Sequence, residues 1–162
     1  MIRTRATTSP PGNAVGAGGR PVMLATLGVP FDPDAASYAV DTAVESGQTL
    51  IVANVTQLEP LPMSLRLGYD ALEEFTPEVT ASVKRPVALA SSLGIRVERI
   101  RVRSPRPIRA LIQLVTERGV GLLVFGPDRS RMSARSYRRA VDALRDGAVC
   151  LVWVSPDPAS PG

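Results

Sequence analysis

The chain has 162 residues, 44% of them hydrophobic and 21% charged, with a net charge of +4. That composition suits one globular domain with an ordinary core and argues against disorder throughout. There is no His, and Cys150 is the only cysteine, which removes the commonest general base, an intrachain disulfide and a cysteine-built zinc site. No apolar run approaches the roughly 20 residues that a bilayer-spanning helix needs.

In chain order, residues 1–20 read as a disordered tail. Pro10, Pro11, Gly12, Gly16, Gly18 and Gly19 punctuate it, and its few apolar side chains cannot offset the entropy of ordering. A folded domain is expected over 21–155 and a second short tail over 156–162. The domain opens on Val22 to Val29 (VMLATLGV), an unbroken apolar run that reads as a strand buried on both faces. A helix follows, with Ala36, Ala39, Val40 and Ala43 on one face. Asp32 or Asp34 is its cap, with Pro33 near the first turn. Gly47 should end it, and Thr49 to Val55 (TLIVANV) is a second buried strand.

The middle is less regular. Leu58 to Tyr69, with Pro60 and Pro62, reads as a long surface connection. Thr76-Pro77-Glu78 then caps a helix carrying Val79, Val83, Val87 and Ala90, with a kink or break expected at Pro86. Ile95 to Arg103 (IRVERIRVR) alternates with charge and suits an edge strand, where arginines discourage pairing with another chain.

Ile108, Leu111, Ile112 and Val115 predict a helix, with Ser104 as its cap, Pro105 at its first position and Gly119 at its end. Gly121 to Gly126 (GLLVFG) is a fourth strand. Tyr137, Ala140, Val141 and Leu144 predict a last helix ending at Gly147, before the strand Ala148 to Val154 (AVCLVWV). Cys150 in that strand reads as a buried, inert thiol. Alternating strands and helices predict a parallel sheet with right-handed crossovers: an α/β protein, a three-layer α/β/α sandwich with five strands. Ligands in such sheets bind beyond the carboxyl ends of the strands.

Charge divides the chain. Asp32, Asp34, Asp41, Glu45, Glu59, Asp70, Glu73, Glu74 and Glu78 face only Arg66 between 21 and 80, whereas Lys84 and a run of arginines dominate from 81 onward. A solvated, dipolar surface and a basic face for an anionic partner both fit this. Few aromatics accompany the arginines, so base stacking is poorly provided, which argues against nucleic acid.

The strings VMLATLGV, SGQTLIVANV, LGIRVERIRVRSPRPIRALIQLV, ERGVGLLVFG and GAVCLVWV, in this order and spacing, resemble the universal stress protein family over Pro21 to Val154. The resemblance implies strand order 3-2-1-4-5, a cytoplasmic setting and, for many members, ATP binding. It places a ligand near Leu27, Gly28, Val55 and Gly126. Family members typically carry an Asp at the end of the first strand. After the fourth strand they carry a glycine, a second three residues on, and Gly-Ser or Gly-Thr about ten beyond. Bare glycines let amides close around phosphates, and the hydroxyl sits at a helix N-terminus.

Here Gly126 matches the first glycine, but Arg129 holds the second place and Arg139-Ala140 the last. Thr26-Leu27-Gly28-Val29-Pro30 carries no acid, Pro127 lacks an amide, and Asp128 brings a negative charge. The expectation is a non-catalytic regulatory or interaction protein with weak or absent ATP binding. The alternative is an ATP- or AMP-binding member gripping phosphates with Arg129, Arg131, Ser133 and Ser136, since arginine's planar fork suits phosphate. Asn54 would either touch a ligand or satisfy strand-end amides.

The implied order places the last strand at an edge, where family members commonly dimerise. The expectation is a homodimer through Leu151, Val152, Trp153 and Val154, with a further protein partner unnamed by any residue. Trp153 would otherwise pack on a helix of its own chain.

Overall fold

The computed structural model describes residues 19–58 and 75–156. The readings for the two tails and for the connection after Leu58 fall almost wholly outside them. The strands are β1 (Val22–Thr26), β2 (Leu50–Gln57), β3 (Val97–Ser104), β4 (Leu122–Phe125) and β5 (Leu151–Val154). The helices are α1 (Pro33–Ser46), α2 (Pro77–Ser92), α3 (Pro107–Glu117) and α4 (Ala134–Gly147). All strand pairs are parallel, in the order β3-β2-β1-β4-β5. The expected five-stranded α/β architecture is present.

The continuous apolar runs have a simple cause. Val22 and Leu24 of β1 pack with α1 and α2, whereas Met23 and Ala25 pack with α3 and α4. Each face of the sheet is covered, so the buried positions of the central strands are apolar except at Thr26 and Asn54, whose side chains are hydrogen-bonded to the turn after β1. Each Val, Leu or Ile fully buried there stabilises the fold by about 1.5–3 kcal/mol. β3 lies at one edge, and its exposed Arg99 and Arg103 explain the charged alternation.

Local signals act as expected at α1. The Asp32 side chain accepts from the Ala35 amide at 3.0 Å, Pro33 is the first helical residue, and Gly47 ends the helix in the left-handed region at φ 69°. Elsewhere tertiary contacts override them. α2 continues through Pro86, although a prolyl residue costs about 3 kcal/mol in a helix interior. Burial of Val79, Val83, Val87 and Ala90 along one stripe holds it together.

α3 begins at Pro107, with Arg106 at the cap, not at Pro105 after Ser104. Ser104 stays in β3, paired with Gln57, and its hydroxyl accepts from the Arg106 amide at 3.0 Å. Gly147 does not stop α4 in a left-handed turn; it is the last helical residue, and Ala148 caps at φ −78°. A Cβ at Gly147 would lie 2.8 Å from Ile112 Cδ1, so close packing against α3 accounts for the glycine. β5 starts later than expected. Cys150 precedes it and is half-buried, and burial pushes its thiol up.

Trp153 stacks on Tyr38 of α1, with ring centroids 4.3 Å apart and planes 11° from parallel. The ring thus packs on a helix of its own chain. Leu151 remains 74% exposed on the edge strand. Among the described residues no helix is long and apolar enough to cross a membrane.

Candidate functional site

Strand order reverses between β1 and β4, so the crevice beyond their carboxyl ends is where this fold places a ligand. β1 ends at Thr26, whose hydroxyl donates to the Val29 carbonyl at 2.8 Å and shapes the turn. Leu27 is half-buried and packs toward α3 and α4. Gly28 turns at φ 81°, and its amide donates to Asn54 Oδ1 at 2.9 Å. Asn54 is buried and serves a strand-end amide. Val55 is fully enclosed in the core below α3 and α4.

The loop after β4 is bound to the loop after β1. The Asp32 amide donates to the Gly126 carbonyl at 2.9 Å, and the Asp128 amide to the Pro30 carbonyl at 2.8 Å. Phe31 and Pro127 form an isolated antiparallel bridge between these two bonds. Phe31 is buried, and its amide donates to Ser82 Oγ of α2 at 2.9 Å. The Ser82 hydroxyl donates in turn to the Val79 carbonyl.

Gly126 is a packing glycine. A Cβ there would lie 2.7 Å from Ala35 Cβ and 3.0 Å from Leu24 Cδ1. Its amide donates to the Ala25 carbonyl at 2.8 Å, so it also continues the ladder with β1. Asp128 turns onto its own loop and accepts from the Ser130 amide and hydroxyl at 3.0 and 2.7 Å. The Arg131 amide donates to the Asp128 carbonyl and the Met132 amide to the Arg129 carbonyl, closing a short 3₁₀ turn over Arg129–Arg131.

The arginines are held too. Arg129 lies over the Tyr137 ring, 4.2 Å from its centroid. Arg131 makes a bidentate pair with Glu78 at the start of α2, at 2.7 and 3.0 Å. Hydrogen bonding and the charge of Arg131 hold the Glu78 carboxyl below its ordinary value and raise the Arg131 guanidinium. A lowered carboxylate pKa stabilises the fold above the unfolded value, and that contribution is lost as pH falls through the folded one. Both partners are exposed, so the contribution is small. The Glu78 resonance should titrate below that of an unpaired glutamate and return to the ordinary range in Arg131→Ala; an unchanged NMR titration would show that the pair does not form in solution.

Ser133 caps α4, accepting from the Ser136 amide at 3.1 Å while donating to the Ser136 hydroxyl at 2.9 Å. The residues that a ten-residue spacing assigns to the last glycine and hydroxyl, Arg139 and Ala140, lie inside α4. The hydroxyl that caps the helix is Ser133, because the loop is short. Thus Leu27, Gly28, Gly126, Arg129, Arg131, Ser133 and Ser136 share the carboxyl-end rim, while Val55 faces the core. The Asp128–Ser130 turn had a sequence signal, an Asp two residues before a turn amide. The pairing of Phe31 with Pro127 and of Glu78 with Arg131 had none.

The description "Universal stress protein family" belongs to a sequence profile that matches residues 19–137. A search of curated protein sequences finds no significant match. Among solved structures, a universal stress protein in complex with cAMP is 18% identical, covering 86% of this chain and 98% of that one at a TM-score of 0.56. A universal stress protein from Lactobacillus plantarum is 12% identical, covering 85% and 97% at 0.64. One from Archaeoglobus fulgidus, in complex with dAMP, is 15% identical, covering 83% and 96% at 0.54. At such identities the structural likeness concerns the fold, and the profile carries the assignment. The matched residues run from before β1 into α4, across four of the five strands and the rim, and the chain belongs to the universal stress protein family.

Proposed function

We propose that this chain is a non-catalytic regulatory or interaction protein that binds ATP weakly or not at all. One observation carries the reading. The amides of Gly126, Asp128, Ser130, Arg131 and Met132 all donate within the chain, and Pro127 has none. A phosphate held by the backbone amides of this loop would compete for those bonds, and breaking each one costs about 0.5–1.5 kcal/mol. The related proteins that hold cAMP and dAMP make an adenine nucleotide the ligand to test.

Titration calorimetry with Mg-ATP should give no saturable heat. Low-micromolar affinity would overturn the proposal and favour phosphate capture by the arginine- and serine-rich loop, in which case Arg129→Ala and Arg131→Ala should weaken binding.

The reading includes assembly. β5 is an edge strand with Leu151 exposed, and no Lys, Arg or Pro guards it, so an open edge invites pairing. Two copies pairing β5 with β5 about a two-fold axis close that edge. Light scattering should report a dimer, and Val152→Lys with Trp153→Asp should give a monomer. An unmodified protein that stays monomeric even at high salt, or a dimer that survives both substitutions, would remove this contact.

A further inference from the structure

Two grooves of opposite charge flank β5, one on each face of the sheet. On the α1 side, Asp32, Asp34, Asp41 and Asp128 outnumber Arg129, which borders both grooves, in a groove of about 630 Å³ that also holds the stacked Tyr38 and Trp153. On the α4 side, a groove of about 410 Å³ carries Arg129, Arg138 and Arg145 around an apolar floor of Val141 and Val154. Asp142 is the one carboxylate there, so positive charge prevails. Arg138 and Arg145 are exposed and stand seven residues apart, on one flank of the helix. Among the described residues neither forms an ion pair.

A two-fold pairing of β5 with β5 keeps the two faces of the sheet apart. The α4 flank of one copy then meets the α4 flank of the other. Packed helices lie about 8–10 Å apart, close to the Debye length of about 8 Å at physiological ionic strength, so charges on facing flanks are only partly screened. The arginines of the two copies therefore repel each other across the axis. Asp34 and Asp41 meet their own copies on the opposite face.

We propose that a small multivalent phosphate anion binds between the two α4 helices and drives dimerisation. The proposal rests on the β5-paired dimer described above. It concerns the sheet edge, away from the crevice between β1 and β4. One copy supplies only half of the guanidinium groups, so the site is incomplete in a monomer. Guanidinium forks match phosphate oxygens in pairs, which gives the anion bonds that neither copy supplies alone. A ligand that binds only the dimer must favour the dimer by mass action.

Sedimentation velocity tests this with tripolyphosphate against sodium chloride at equal ionic strength. With the anion at ten times its own dissociation constant, the dimer dissociation constant should fall about tenfold. In Arg138→Gln/Arg145→Gln, confirmed as folded by circular dichroism, the response should vanish. That variant should dimerise at least as well as the unmodified protein without the anion, because the repulsion is removed. A dimer indifferent to tripolyphosphate overturns the anion site and leaves the β5 pairing intact. A monomer under both conditions and at high salt overturns the pairing and the site together. A response that persists in the double variant overturns the placement on α4.

Discussion

Phe31→Ala should cost about 3–5 kcal/mol of folding stability. The side chain is only 2% exposed and belongs to the core formed with α1 and α2, where Val79 and Val83 also lie. Its removal loses the transfer free energy of a phenyl ring and leaves a cavity that the surrounding helices fill only in part. The position matters further because of what its backbone does. The Phe31 amide binds Ser82 of α2, and its neighbours Pro30 and Asp32 bind the loop after β4. A ring that sits in the core therefore holds both loops of the rim in place. For a chain of this size each kcal/mol corresponds to roughly 2–4 °C in Tm, so the melting point should fall by about 6–20 °C. A thermal melt followed by circular dichroism measures this. A shift of under about 2 °C, less than about 1 kcal/mol produces, would show that Phe31 does not hold the rim.

Gly126→Val should destabilise the fold by about 1–3 kcal/mol through overpacking. Ala35 Cβ and Leu24 Cδ1 both stand where the new side chain must go, and Ala35 belongs to the first turn of α1. Relief requires α1 to move off the sheet or the loop after β4 to swing outward, and the bonds from Asp32 to Gly126 and from Asp128 to Pro30 resist both. Urea unfolding measures the loss as a lower midpoint at unchanged slope. An unchanged midpoint would mean that the helix yields without cost. The outcome also bears on function: in this chain the glycine is required by the approach of a helix, whether or not a phosphate ever comes near it.

How much of this was legible in the sequence differs by element. Three apolar runs, those of β1, β2 and β4, announced buried parallel strands because a strand covered on both faces has few polar positions; the fourth, Ala148 to Val154, reads the same way but lies at an edge, where no residue of β5 is fully buried. Val22 to Thr26, fully buried throughout, is the plainest case. Asp32 with Pro33 announced the start of α1, since a cap acts only on amides within one turn. The charged alternation of β3 announced an edge. Local pattern misled where a distant segment took over. Ser104 and Pro105 have the chemistry of a helix start, yet pairing with Gln57 keeps Ser104 in β3. Gly147 has the chemistry of a helix stop, yet the approach of Ile112 explains it.

The candidate site divides the same way. The sequence by itself determined the fold class, the element order and the departures from the phosphate-loop pattern at Arg129 and Arg139, because each depends on residue type and spacing along one stretch of chain. Only the tertiary structure decided what the loop after β4 does instead. Its amides meet Ala25, Pro30 and its own turn, and its Arg131 meets Glu78, 53 residues away. Such partners are chosen by the sheet, which brings β1, β4 and the start of α2 to one rim, and no period or motif within a single segment records that proximity.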